Sequence, residues 1–141
     1  MTRGYLNNIE SFPQAWGAVL HRLADPATRP LVFHCSAGKD RAGTCAALVL
    51  LALGVPEETV VADHALSNVY IQDIMGEIHQ RLREQGIDPE PLAPYFEAPK
   101  AGIEAMIGHL RQQYGSARAY LVHRCGVPEP TLARLREDLL E

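Results

Sequence analysis

His34-Cys35-Ser36-Ala37-Gly38-Lys39-Asp40-Arg41 joins the apolar run Leu31-Val32-Phe33 to the apolar stretch Ala42 to Leu53. The short run reads as a buried strand and the longer stretch as a helix, so the eight residues form a strand-loop-helix connection. A cysteine then sits where the strand opens, and an arginine follows six positions later at the mouth of the helix. If the loop curls around an anion, its N–H groups and the helix N-terminus aim at one centre, and Arg41 can close on it with a two-pronged grip. The same field stabilises a thiolate at Cys35. The loop therefore combines a nucleophile with a phosphate cradle, its candidate lining being Ser36, Ala37, Gly38, Lys39 and Arg41.

The pattern of His-Cys, five residues, then Arg resembles the signature of the cysteine-dependent phosphatases of the protein-tyrosine phosphatase superfamily. The fuller string His-Cys-Ser-Ala-Gly-Lys-Asp-Arg-Ala-Gly is similar to the bacterial and fungal tyrosine and lipid phosphatase branch. That resemblance continues through Gly54-Val55-Pro56, Asp63, Ser67-Asn68 and Tyr114-Gly115-Ser116. It covers nearly the whole chain but only the C-terminal part of the family domain. It implies a cysteine-phosphatase-like α/β fold, predominantly helical here and lacking the N-terminal sheet region. It also implies a single, shortened domain over residues 1–141, in which a missing N-terminal segment or a second copy of the chain completes the sheet edge.

A chain of 141 residues with 47% hydrophobic content supports one folded domain with a modest core. The formal net charge of -4 does not supply the basic surface that general nucleic-acid binding needs. Three cysteines at positions 35, 45 and 125 show neither a disulfide framework nor metal-ligand spacing. Cys45 and Cys125 read as buried structural thiols, with a redox-protective pairing of Cys35 and Cys45 the lesser reading. No cofactor and no metal is expected. No run approaches membrane-spanning length, so a cytoplasmic location is the default, with export left open.

Along the chain, Ser11-Phe12-Pro13-Gln14 resembles a capping box ahead of an amphipathic helix carrying Phe12, Trp16, Val19, Leu20 and Leu23. The helix after the signature is too uniformly apolar for the surface and is expected at the centre. Residues 57 to 85 repeat helically, with a bend allowed near Ser67-Asn68. Prolines 89, 91, 94 and 99 make 86 to 99 irregular, as a structural connection or a substrate-side lid bearing Tyr95-Phe96. Further helices follow at 103 to 114, at 117 to 125 and after Pro130.

Cys35 is the candidate nucleophile, forming a thiophosphate intermediate. Arg41 is placed to hold two phosphate oxygens, and Gly38 to permit the loop's turn. Asp40 is the candidate proton donor to the leaving oxygen, its other reading being an acceptor for loop N–H groups or Arg41. His34 is assigned to orienting the loop, and Asp63 to holding the loop or Arg41. Lys39 reads either as solvent exposed or, from the resemblance, as a second cation for a multiply phosphorylated headgroup. Related families carry serine or threonine where this chain has Ala42, which implies slow release of phosphate from sulfur. The expected partners are a phosphorylated protein or a phosphoinositide; an inactive phosphate-binding module, or a half-domain needing a partner chain, is the competing reading. A nucleotide-binding loop is disfavoured by Phe33 in place of its first glycine and by Asp40 after the lysine. A rhodanese-like loop fits less well because Arg41 is in the phosphatase register.

Overall fold

Pro13 can open a helix because the first turn needs no N–H from it, and Trp16, Gly17, Leu20 and Ala24 then fall on one buried face. The computed structural model, which describes residues 2–92 and 96–140, has helices wherever this periodicity is sustained. They are α1 (Thr2–Ser11), α2 (Pro13–Ala24), α3 (Arg41–Leu53), α4 (Glu57–Glu84), α5 (Lys100–Tyr114), α6 (Ala117–His123) and α7 (Glu129–Leu139). The fold is predominantly helical and, among the described residues, has no sheet.

The expected strand is corrected accordingly. Leu31 to Cys35 forms no regular element, and it pairs as a strand with no other segment among the described residues. A strand is defined by its ladder, and here the ladder has no other rail. Val32 is 84% exposed and Phe33 is also exposed, where a buried run was expected. The layered α/β arrangement is thus represented only by this unpaired segment, the loop and α3.

Helix α3 is the hub of the packing, touching α1, α2, α4, α6 and α7. Its Cys45, Ala47, Leu48, Ala52 and Leu53 join a core with Ile9 and Tyr5 of α1, Leu20 of α2, Ile103, Met106 and Leu110 of α5, and Leu132 and Leu135 of α7. Helix α1 lies mainly on α5. Buried Tyr120 of α6 closes that side by donating its hydroxyl to the Ile9 carbonyl at 2.6 Å. This satisfies a phenol that would otherwise be stranded in the core.

Two local expectations change. Ser11 does not cap α2: it ends α1, and its hydroxyl bonds Asn7 Oδ1 at 3.2 Å, while Phe12 occupies the cap position with no side-chain bond. No break occurs at Ser67-Asn68, and α4 runs through both residues. Asn68 turns its amide outward instead, donating to the Ala98 carbonyl at 2.9 Å and accepting the Ala98 N–H at 2.7 Å. That two-point clasp fixes the proline-rich connection to α4, which favours its structural reading over a free lid at this point. Phe96 is partly buried, and Tyr95 lies outside the described residues.

Candidate active site

Helix α3 begins at Arg41, and its first intrahelical bonds are Gly43 N–H to the Lys39 carbonyl (3.0 Å) and Thr44 N–H to the Asp40 carbonyl (2.8 Å). The N–H groups of Arg41 and Ala42 are therefore left over by the helix. Both, with the N–H groups of Ala37 and Gly38, favour the ionised form of the Cys35 sulfur. Gly38 has φ +72, a conformation that side chains resist, and this is what lets the loop fold back over the sulfur. Burial works against ionising Cys35, but the four N–H donors outweigh it and hold the thiol below its usual range.

The other two cysteines behave oppositely. Burial pushes the thiols of Cys45 and Cys125 up to about 11. All three are free, and Cys45 and Cys125 are buried as expected. One chain thus holds one activated thiol and two inert ones.

Around the sulfur, the predicted residues divide into those gathered at the loop and those set apart from it. Arg41 is exposed, and its Nη2 reaches Ser36 Oγ at 3.4 Å, so the guanidinium arches over the loop mouth. His34, Gly38, Ala42 and Asp63 line one cavity of about 220 Å³ together with Phe33, Ser67 and His64. Ala42 presents only a methyl there. Asp63 is exposed and makes no side-chain hydrogen bond to Arg41 or to the loop among the described residues, so its assigned holding role lacks a contact. His34 is likewise exposed, with no side-chain hydrogen bond among the described residues.

Lys39 departs most from expectation. Its side chain is only 3% exposed, and its ammonium donates to Asp40 Oδ1 at 2.8 Å and Oδ2 at 2.7 Å. In this arrangement the cation is spent within the loop and does not reach outward toward a second phosphate. Asp40 also accepts from the Tyr5 hydroxyl at 3.1 Å. It is an acceptor as one reading had it, but for Lys39 and Tyr5 and not for loop N–H groups or Arg41.

Tyr5 and His64 were not picked out from the sequence as parts of the loop's surroundings. The hydroxyl of Tyr5 lies 3.0 Å from His64 Nε2, and the two rings meet edge to face at 5.5 Å. Two glycines make room for them. A Cβ on Gly102 would come within 2.6 Å of the Tyr5 ring, and one on Gly43 within 2.7 Å of His64 Nδ1. The only sequence signal for Tyr5 was its i, i+4 spacing to Ile9, which points to a core contact and not to a site.

These features amount to a loop at a helix N-terminus that places backbone N–H groups by a cysteine sulfur, with an arginine beside it. The chain belongs to the tyrosine phosphatase family, whose match spans residues 1–141. It is 32% identical over 155 residues to the triple specificity protein phosphatase PtpB of Mycobacterium tuberculosis, covering 99% of this chain and 55% of that protein. It is also 31% identical over 130 residues to a tyrosine-protein phosphatase of Nostoc commune, covering 86% of this chain and 42% of that one. The chain spans about half the length of the curated relatives it matches.

Proposed function

We propose that this chain is the phosphate-binding core of a cysteine-dependent phosphatase and that, acting by itself, it turns over slowly. The observation that carries this reading is the convergence of four backbone N–H groups on Cys35. A phosphate monoester placed there would have its nonbridging oxygens met by the same donors and by Arg41. The Cys35 sulfur would attack phosphorus, forming an S–P bond as the P–O bond to the leaving group breaks. The leaving oxygen takes a proton, for which Asp40 is the candidate donor once its carboxylate has parted from Lys39 and itself taken a proton from water. Water then cleaves the S–P bond, giving inorganic phosphate and the free thiolate.

Two observations favour slow turnover. Ala42 places no hydroxyl beside the sulfur, so nothing there eases its departure from phosphorus. The backbone of Leu31 to Cys35, which carries the nucleophile, has no ladder to brace it among the described residues, and a further segment or a second copy of the chain would supply one. Phosphotyrosine fits a single cradle. Phosphoinositides are the second substrate class, drawn from the resemblance to the tyrosine and lipid phosphatase branch, and they gain a contact from Lys39 only if it leaves Asp40.

Rapid mixing with an aryl phosphate, repeated across protein concentration, tests the proposal. The expected trace is a burst no larger than one phenol per Cys35, followed by a slow phase, and inorganic phosphate should protect Cys35 from alkylation. Protection without a burst would reduce the protein to a phosphate-binding module. Neither protection nor a burst would overturn the reading altogether. In Ala42→Thr the slow phase should quicken about tenfold, the scale of one hydrogen bond to a charged atom, with the burst amplitude preserved. An unchanged lifetime of the trapped intermediate would remove Ala42 as the cause.

A further inference from the structure

We infer that Tyr5 is a positioning residue for the phosphate loop, its hydroxyl held from behind by His64 and fastening Asp40 to helix α1. The inference rests on the functional reading above and deepens it by naming what holds the loop's carboxylate in place. A carboxylate paired with an ammonium can only accept hydrogen bonds. Asp40 accepts from Lys39 at both oxygens and from Tyr5 at Oδ1, so the single Tyr5 proton points at Asp40. The Tyr5 oxygen must then accept from its other neighbour, His64 Nε2, at 3.0 Å. This assigns the proton of the neutral imidazole to Nε2 and leaves Nδ1 as a bare acceptor.

The surroundings of Nδ1 agree with that assignment. Nδ1 is buried with no hydrogen-bond partner, against Gly43 of α3. A second N–H there would be a buried donor with nowhere to go, which is costlier than an idle lone pair. Burial, helped by the charge of Lys39 and opposed by Asp40 and Asp63, also keeps His64 below the usual histidine range. The imidazole is therefore a fixed, uncharged donor. Hydrogen bonds in such a chain polarise one another, so Tyr5 holds Asp40 more firmly with His64 behind it than without.

The line Lys39-Asp40-Tyr5-His64 links the loop to α1 and α4. Tyr5 is 2% exposed and its ring packs on Gly102 of α5, so its position is set by the core, not by the loop. The loop is thus registered against the helical body through one phenol.

Tyr5→Phe removes the hydroxyl and keeps the ring, and His64→Leu removes the donor behind it. His64→Gln retains an amide N–H that can replace Nε2–H. Phosphate affinity, read as protection of Cys35 from iodoacetamide, is expected to weaken about 3- to 10-fold in Tyr5→Phe and in His64→Leu, the range for one partly exposed hydrogen bond to a carboxylate. His64→Gln is expected to restore affinity to within about twofold, a rescue that loss of packing alone would not follow. Nitrogen-15 spectra of the histidines supply a reading independent of phosphate, with His64 expected neutral and protonated at Nε2. An Nδ1–H tautomer would overturn the inference, as would unchanged protection in Tyr5→Phe. If the unaltered protein shows no phosphate protection at all, the functional reading fails, and the tautomer still decides the role of Tyr5.

Discussion

Cys35→Ser should abolish the burst and cut turnover by more than about a thousandfold, the scale of removing a covalent nucleophile, while phosphate stays bound within about threefold. The asymmetry follows from where the work is divided. The cradle is main chain, and serine leaves its N–H groups in place. The proposed nucleophile is the ionised sulfur, and a serine hydroxyl remains protonated at neutral pH. The same division predicts the pH response of alkylation. Because four donors hold the Cys35 thiol below its usual range, its thiolate is retained as pH falls, until pH passes below that depressed value. Cys45 and Cys125, with thiols pushed up to about 11, stay protonated and buried. Iodoacetamide at pH 7 should therefore label Cys35 alone, and mass mapping of the labelled peptide checks it. Equal labelling of all three, or a Cys35→Ser protein with undiminished turnover, would contradict the assignment.

Leu48→Ala is the second substitution with a large expected effect, this time on stability. Leu48 is 1% exposed on α3, the helix that both carries Arg41 and touches five others. Truncating a fully buried leucine costs about 2 to 5 kcal/mol, the spread reflecting how far neighbours relax into the void. Native domains are stable by only about 5 to 15 kcal/mol, so this one change should consume a large share. Urea titration should show a lower midpoint with an unchanged slope. Phosphate protection of Cys35 should persist in the fraction still folded, because the void lies two turns into α3 and not in the loop. A shift below about 1 kcal/mol would mean that α3 is not the hub of the core.

The helical body was largely legible because its signals are local. Gly54 and Gly115 end the helices predicted to stop there, and the apolar period placed α2 to α7 close to their observed ranges. Helix α1 went unread because its burial rests on Tyr5 and Ile9 alone, too few residues to register as a period. The expected strand failed for the converse reason: Leu31-Val32-Phe33 has strand chemistry, but a strand needs partners that a short window cannot reveal. In the candidate site, the spacing of Cys35, Gly38 and Arg41 could be read directly because chemistry and loop geometry tie these residues within seven positions. The burial of Lys39 could not, since its partner Asp40 is also met by Tyr5, 35 residues earlier in the chain. His64 carries no signal of its own in the sequence. Its actual contacts come from Tyr5 and Gly43, distant in sequence and informative only once folded.

The open segment from Leu31 to Cys35 has a further bearing on the order in which the molecule loosens. Its amides have no cross-strand acceptors among the described residues, so they belong with the parts that open at little cost. At its two ends, however, stand α2, seated on α7, and α3, seated on most of the body. The segment therefore behaves as a slack cord between two moored posts. Its slackness does not spread to the core, and a cut in it would leave both posts moored. What such a cut would lose is the anchorage of Cys35 on its N-terminal side, so the chemistry would fail well before the protein came apart.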